Sequence, residues 1–586
     1  MRTGLSKSEW RELEYEIDAN LPLLCSLFKI PGIAIEISQI SQISQISQIS
    51  QIAGFKKSFV FGLSNIQANE HVREDTIFRI ASITKLFTAI AICQLYEQGK
   101  VDFETDINEY LKKSIPPIRY RDGSIPITLK HLLTHTSGIG ELQRYSDIFR
   151  PGFNINVYGN REIPHPSYFY RYGISTHVPP GTKYAYSNIG MGLVGLIIEQ
   201  ISGMNYRDYC KKYIFEPLQM KSTDVLPNPD LAPRMAKGYL DNSLKGKFKL
   251  VRPMQTGIVP AGNGYSTIGD LTNLAHCILN DGEFQGARIL KPETVQMMTN
   301  PWFQLDPRLE AMGCAFFLEK IGDYTLISHT GATSGFMSGL LILKQPKISI
   351  VILSNIDEVF SNHGTLRIHN LIAQRILGIT ERFITPAMEN DFTAKDRKNR
   401  PKIKNIQEKQ SPKQMECKNA IEQQSPKQME NKNTIEQQSP KQMENKNKMD
   451  KISPILKDND EKKIIFTAID AIRKAEFGNN PETKNEIGMR DNKELKKFCG
   501  YYQPAKGILT NTRVYMMGFQ FKISLKNKNL CLSTLKRSTK KQIILHKVHE
   551  SDPNYFYYEY QRQGASISQI EKIIFVENEN KKIDWI

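Results

Sequence analysis

Residues 78–85 read Phe78-Arg79-Ile80-Ala81-Ser82-Ile83-Thr84-Lys85 and run directly into Leu86, Phe87, Ile90 and Leu95 before Gly99. Apolar residues at that spacing predict a helix that opens near Ser82 and stops near the glycine. Ser82 and Lys85, three apart, then share one helical face. There a Lys amine whose pKa is lowered by burial or nearby positive charge can accept the Ser hydroxyl proton, and the helix N-terminus favours the negative charge that develops. A lone Ser-x-x-Lys is common in long chains, so Ser82 needs companions elsewhere.

Two further segments supply them. Pro180-Gly181-Thr182-Lys183-Tyr184-Ala185-Tyr186-Ser187-Asn188-Ile189-Gly190 is a turn-rich loop running into an apolar helix over Met191 to Ile201. In extended backbone Tyr186 and Asn188 point the same way. A phenol can shuttle protons and an amide can hold a substrate carbonyl, although such a Tyr-Ser-Asn taken alone reads better as a cap of the helix. The other segment, Ile327-Ser328-His329-Thr330-Gly331-Ala332-Thr333-Ser334-Gly335, connects strand-like Tyr324-Thr325-Leu326 to strand-like residues from Ser338 to Leu343. Glycine lets a substrate approach the backbone, so adjacent N–H groups can form an oxyanion hole. His329 alone reads as an ordinary loop histidine.

Together these three segments resemble the serine β-lactamase and penicillin-binding-protein superfamily, most closely its class C-like branch of esterases, D-aminopeptidases and carboxypeptidases. In that branch the second motif is Tyr-x-Asn and the third is often His-x-Gly in place of Lys-Thr-Gly. Ile127-Thr128-Leu129-Lys130-His131-Leu132-Leu133-Thr134-His135-Thr136-Ser137-Gly138-Ile139 resembles the family's most recognisable non-catalytic stretch. Phe215-Glu216-Pro217-Leu218-Gln219-Met220 and Ala261-Gly262-Asn263-Gly264-Tyr265-Ser266-Thr267 resemble others, and the likeness runs in order over about residues 31–380.

The resemblance implies an α+β fold, an antiparallel sheet flanked by helices plus a helical subdomain, and hydrolysis of an ester or amide through an acyl-enzyme. Ser82 would be the acylated nucleophile, Lys85 its activating partner and Tyr186 the proton relay. Asn188 would orient the substrate, His329 would stand where the family often has Lys, and Gly331 would admit the substrate. The N–H groups of Ser82 and Ala332 would hold the oxyanion. His131 and His135 carry no catalytic role in this reading. A largely neutral His329 weakens any clamp on a substrate carboxylate, favouring esterase or peptidase-like activity over that of a true β-lactamase. No metal or organic cofactor is implied; the expected partner is a small-molecule or peptide substrate. The rival class is a non-catalytic scaffold of the same fold, against which the intact Ser82, Lys85, Tyr186 and Asn188 stand.

Around this core the chain is modular. Residues 1–30 are expected to form a helical segment. Residues 38–52 repeat Ser-Gln-Ile five times, a period of three that fits neither strand nor α-helix. It is expected to lengthen a hairpin loop between strands at 31–37 and 57–62. Over 381–459 a second repeat of period 14 begins at Gln410-Ser411-Pro412, and no aromatic residue lies between Phe392 and Phe466. Such a segment has little apolar surface to offset the entropy of ordering and reads as a disordered linker. A helix and connector (460–492) and an aromatic, alternating block (493–586) follow, the latter resembling the lipocalin-like β domain some family members append.

The 586 residues suffice for several domains with their own cores, which excludes a small disulfide-stapled scaffold. Eight scattered cysteines show no paired metal or redox spacing and read as reduced packing residues. Of the +17 formal charge, residues 1–380 hold 38 Lys+Arg against 34 Asp+Glu and residues 381–586 hold 40 against 27. The excess therefore lies in the linker and tail, where Lys is interspersed with Gln, Glu and Asn: a solvated charge run rather than a nucleic-acid site. With neither a signal-like start nor a stretch long enough for a membrane span, the expected compartment is the cytoplasm, leaderless export remaining open.

Overall fold

The computed structural model describes residues 4–40, 53–140 apart from 112, 113 and 122, isolated positions between 155 and 180, 181–242, 247–251, 254–305, 309–321, 323–357, 364–379 and short strands between 500 and 585. The linker (381–459), the 460–492 segment and Ser-Gln-Ile residues 41–52 lie outside the described residues.

Eight antiparallel strands form the central sheet. In chain order they are β1 (Gly32–Ile40), β2 (Ala53–Asn65), β3 (Glu70–His71), β4 (Ala311–Met312), β5 (Phe317–Ile321), β6 (Tyr324–Thr333), β7 (Phe336–Leu343) and β8 (Ile348–Ser354). Their order across the sheet is β4-β5-β6-β7-β8-β1-β2-β3, so the first strand pairs with the last, Ile33 opposite Ser354. Both faces are covered, which is why β7 and β8 read as continuous apolar runs. Alternation divides the side chains: Ile33, Ile35, Ile37, Ile350 and Ile352 enter one core with the N-terminal helix α1 (Lys7–Phe28) and the late helix α5 (Gly364–Ile376). Ala34, Leu340, Ile342, Val351 and Leu353 enter the other, larger core. The larger core also contains the buried side chains of α2 (Thr84–Glu97), α3 (Asn188–Ser202) and α4 (Ile268–Leu279). Arg375 of α5 reaches Glu16 and Glu12 of α1 at 2.8 and 2.9 Å, fixing the two outer helices to each other.

α2 is apolar all round and buried along most of its length, as befits a helix enclosed by its neighbours. It begins at Thr84, two residues later than its apolar run suggests. Ala81 adopts φ 46°, a left-handed turn that costs a non-glycine residue about 1 kcal/mol. Thr84 locks that turn: its hydroxyl donates to Ala81 O at 2.5 Å and accepts the Gly264 N–H at 2.9 Å.

Two sequence expectations need correction. The first Ser-Gln-Ile unit is strand, not loop: Ser38 Oγ lies 2.9 Å from His276 Nε2 on α4, and Gln39 Oε1 accepts the Leu5 N–H. One triplet fits a period of two, and an irregularity between Gln39 and Ile40 absorbs the mismatch. The His329 segment is likewise strand. β6 continues to Thr333, leaving only Ser334-Gly335 as the turn, with Gly335 at φ 81°.

In the C-terminal region, six strands between Gly500 and Ile574 pair antiparallel in chain order, a meander. No helix among the described residues is long and apolar enough to cross a membrane.

Candidate active site

Ser82 sits in the turn ahead of α2, and Lys85, one turn on, is fully buried. Lys85 Nζ lies 2.9 Å from Ser82 Oγ, 2.7 Å from Asn188 Oδ1 and 2.6 Å from the Ala261 carbonyl. Two of the three partners can only accept, so a neutral amine spends both N–H groups on Asn188 and Ala261 and turns its lone pair to the Ser82 hydroxyl. The protonated amine has three N–H groups for the same three oxygens. One geometry therefore accommodates both protonation states of the amine.

Tyr186 comes from the loop before α3, and its hydroxyl lies 2.8 Å from Ser82 Oγ. Lys85 Nζ stands 4.8 Å from the centroid of the Tyr186 ring, and a cation over a phenol face stabilises the protonated amine. Of the two readings of Tyr-Ser-Asn, each holds for a different residue. Ser187 is the N-cap, its hydroxyl accepting the Gly190 N–H at 2.9 Å, while Tyr186 and Asn188 reach Ser82 and Lys85.

The third wall is the end of β6. β5 pairs with it only as far as Ser328, so residues 329–333 leave that side of the strand open. A two-residue turn makes Thr333 and Phe336 the closing pair, and antiparallel alternation then turns the Ala332 peptide away from β7. Gly331 packs against the Ser82 segment: a Cβ there would meet Ile80 O and Ser338 Oγ and stand 3.0 Å from Ser82 N. Any larger residue would push the strand off the serine.

His329 is buried, and its Nδ1 lies 2.7 Å from the Thr330 carbonyl, which puts the proton on Nδ1 and a lone pair on Nε2. Nε2 has no partner among the described residues. Burial, reinforced by the charge of Lys85, lowers its pKa to about 3, so the ring is a neutral acceptor throughout the physiological range. Asn188 thus touches Lys85 and Gly331 lies against Ser82, with His329 and Ala332 on the same strand as Gly331. His135, to which the sequence reading gives no catalytic role, lies with its ring 4.4 Å from that of Tyr186. No group of three His, Cys, Asp or Glu side chains among the described residues is arranged to hold a metal ion.

Neutral buried histidines recur. Burial lowers His276 and His369 to about 4 and depresses His135 strongly. Their folded pKa values lie below the unfolded value near 6.5, so their contribution to stability is complete above about pH 6.5 and is lost as pH falls towards 4. Each adds about 1.4 kcal/mol per pH unit to the slope in that window. The urea midpoint is expected to drop steeply between pH 7 and pH 5, and His369→Gln to flatten the slope; a midpoint constant over that range would contradict the assignment.

Comparison with known proteins agrees with this architecture. The profile of the beta-lactamase family matches residues 51–373, over half of the chain. Penicillin-binding protein 4* of Bacillus subtilis (strain 168) is 24% identical over 319 residues, covering 51% of this chain and 65% of that protein. D-alanyl-D-alanine-carboxypeptidase/endopeptidase AmpH of Escherichia coli (strain K12) is 27% identical over 292 residues, 48% of this chain and 71% of its own. Among solved structures, the octameric penicillin-binding protein homologue from Pyrococcus abyssi superposes with a TM-score of 0.52 at 20% identity, covering 97% of this chain and 96% of its own. The beta-lactamase/D-alanine carboxypeptidase from Yersinia pestis complexed with citrate gives 0.50 at 21% identity, over 64% and 100%. At these identities the structures establish the fold.

Proposed function

Because the chain belongs to the beta-lactamase family of the serine hydrolase superfamily, we propose that it hydrolyses an ester or amide through an acyl-enzyme on Ser82. One observation carries the proposal: Ser82 Oγ stands within hydrogen-bonding distance of both Lys85 Nζ and the Tyr186 hydroxyl. Lys85 takes the Ser82 proton as Oγ attacks the carbonyl carbon. The N–H groups of Ser82 and Ala332 hold the oxyanion, a contact worth about 3 kcal/mol per donor in such sites. Collapse breaks the ester or amide bond, and the leaving group takes a proton through Tyr186. Water then attacks the acyl-enzyme by the reverse proton path, releasing the acid and restoring Ser82. Asn188, held by Lys85, presents its amide NH2 to the acyl portion of the substrate.

His329 leaves this wall of the site without a positive charge. A neutral ring gives no charge to a carboxylate. Uncharged esters and amides are therefore the preferred class. Short-chain p-nitrophenyl esters are expected to turn over faster than nitrocefin or peptides ending in D-alanine carboxylate, and His329→Lys to shift the ratio towards the carboxylate substrates. A wild-type preference for the carboxylate substrates would sink this assignment.

Tyr186→Phe is expected to lower kcat by about 10²- to 10⁴-fold, the range for one positioned proton donor, while leaving KM nearly unchanged. Steady-state kinetics on a poor-leaving-group ester would show it; unaltered kcat removes Tyr186 from the proton path.

A further inference from the structure

Two residues beyond the short helix Leu129–Leu133 lies a histidine that the reaction scheme does not use. His135 is fully buried and adopts φ 57°, a left-handed conformation unfavourable for a side chain with a Cβ. Three parts of it meet the Tyr186 loop. Its carbonyl accepts the Ala185 N–H at 2.6 Å, and its Nδ1 accepts the Ser187 N–H at 3.2 Å. Its ring lies 4.4 Å from that of Tyr186, tilted by 40°, with Tyr184 edge-on at 6.0 Å. The residue before Tyr186 is thus tied to the His135 backbone and the residue after it to the His135 ring, on which the phenol packs. Thr136 adds a tether by accepting the Gly181 N–H at 2.8 Å.

The chemistry of the ring matters as much as its place. Because Nδ1 accepts, the proton is on Nε2, and Nε2 has no partner among the described residues. A buried polar group left unpaired costs about 1–3 kcal/mol, and the left-handed backbone costs more. Packing alone would be served as well by an apolar residue. What an apolar residue lacks is an acceptor for Ser187 N–H, and Ser187 is also the N-cap of α3, which begins with Asn188.

We propose that His135 is a positioning residue for the reaction: it clasps the loop on both sides of Tyr186 and so holds the phenol on Ser82 Oγ. This inference rests on the acyl-enzyme reading above. Misplacing a reacting group by about 1 Å typically costs about 10²-fold in rate. His135→Ala is expected to lower kcat by about that factor on esters with poor leaving groups, with KM little changed and a smaller loss on good leaving groups. The latter follows because Tyr186 acts on the leaving group's proton. His135→Ala combined with Tyr186→Phe is expected to be no slower than Tyr186→Phe alone, since a phenylalanine has no hydroxyl left to position. Asn places its side-chain oxygen near the Nδ1 position and Gln reaches one bond farther, so His135→Asn should recover most of the loss and His135→Gln should not. If His135→Ala fails to fold, the Asn–Gln comparison carries the test, and Gln equal to or better than Asn overturns the proposal. Losses that multiply in the double variant, or a loss independent of leaving group, also overturn it while leaving the hydrolase reading intact. Absence of any Ser82 acylation in the folded wild type overturns the hydrolase reading and this inference with it.

Discussion

Ser82→Ala is expected to abolish turnover, lowering kcat by about 10⁴-fold or more, and to remove labelling by a fluorescent serine-directed acylating probe. The size of the loss follows from the surroundings of Ser82. Nearby hydroxyls are committed elsewhere: Thr84 Oγ1 to Ala81 O and Gly264 N–H, Ser338 Oγ to Ile80 O, Ser187 Oγ to Gly190 N–H. None can take over the attack without dismantling the turn, the strand contact or the cap that forms the site. The substitution itself removes one half-buried oxygen. Lys85 keeps Asn188 and Ala261, and the stability change should stay within about 1 kcal/mol. Intact-mass measurement of the acylated protein alongside a melting curve separates the two effects. Labelling that persists in folded Ser82→Ala would place the nucleophile elsewhere; labelling absent from folded wild type would leave a β-lactamase-fold protein without this chemistry.

How far the sequence reveals such a site depends on the range of the interaction. Ser82 and Lys85 are three apart, and local geometry alone brings them together, so the pair is legible in Ser-x-x-Lys. The same holds for Tyr186 and Asn188, two apart at the entry to a helix. What joins the two pairs is the packing of α2 against α3 across a hundred residues, which no spacing encodes; there the resemblance to a known family carried the expectation. The misses arise where distant contacts override local sequence preference. Residues 327–335 looked like a connection because Gly331 and the small residues around it depress strand propensity, yet Ser338 and Ile80 hold that glycine in the ladder. The Ser-Gln-Ile repeat looked uniformly foreign to a strand, yet its first unit is captured by His276 and Leu5, contacts from distant parts of the chain. The contacts of His135 are long-range as well: its partners in the Tyr186 loop, two backbone N–H groups and two aromatic rings, are about 50 residues away in the chain.

Lys85→Ala is expected to lower kcat by about 10³-fold, and the manner of its rescue tests what the amine does. If Lys85 is the group that takes the serine proton, a small free amine that enters the space left behind should restore part of the rate. Only the unprotonated amine has a lone pair, so methylamine rescue should rise with pH in proportion to its free-base fraction. Guanidinium, which has no available lone pair, should fail. If Lys85 instead contributes only positive charge, ammonium and guanidinium should rescue alike and pH should not matter. Lys85→Arg sharpens the distinction from inside the protein. Arg keeps the charge and more than enough N–H donors for Asn188 and Ala261, yet it cannot accept the proton. It also overfills a site in which Lys85 is fully buried, with an overpacking cost of about 1–3 kcal/mol. It should be inactive and less stable than wild type. Lys85→Ala is destabilised for another reason, because the Asn188 and Ala261 oxygens lose their donor, at about 1–3 kcal/mol for each that stays buried and unpaired. Filling that space with methylamine should therefore raise the melting temperature as well as the rate. Stabilisation without a pH-dependent gain in rate would assign Lys85 to holding Asn188 in place and would remove it as the proton acceptor.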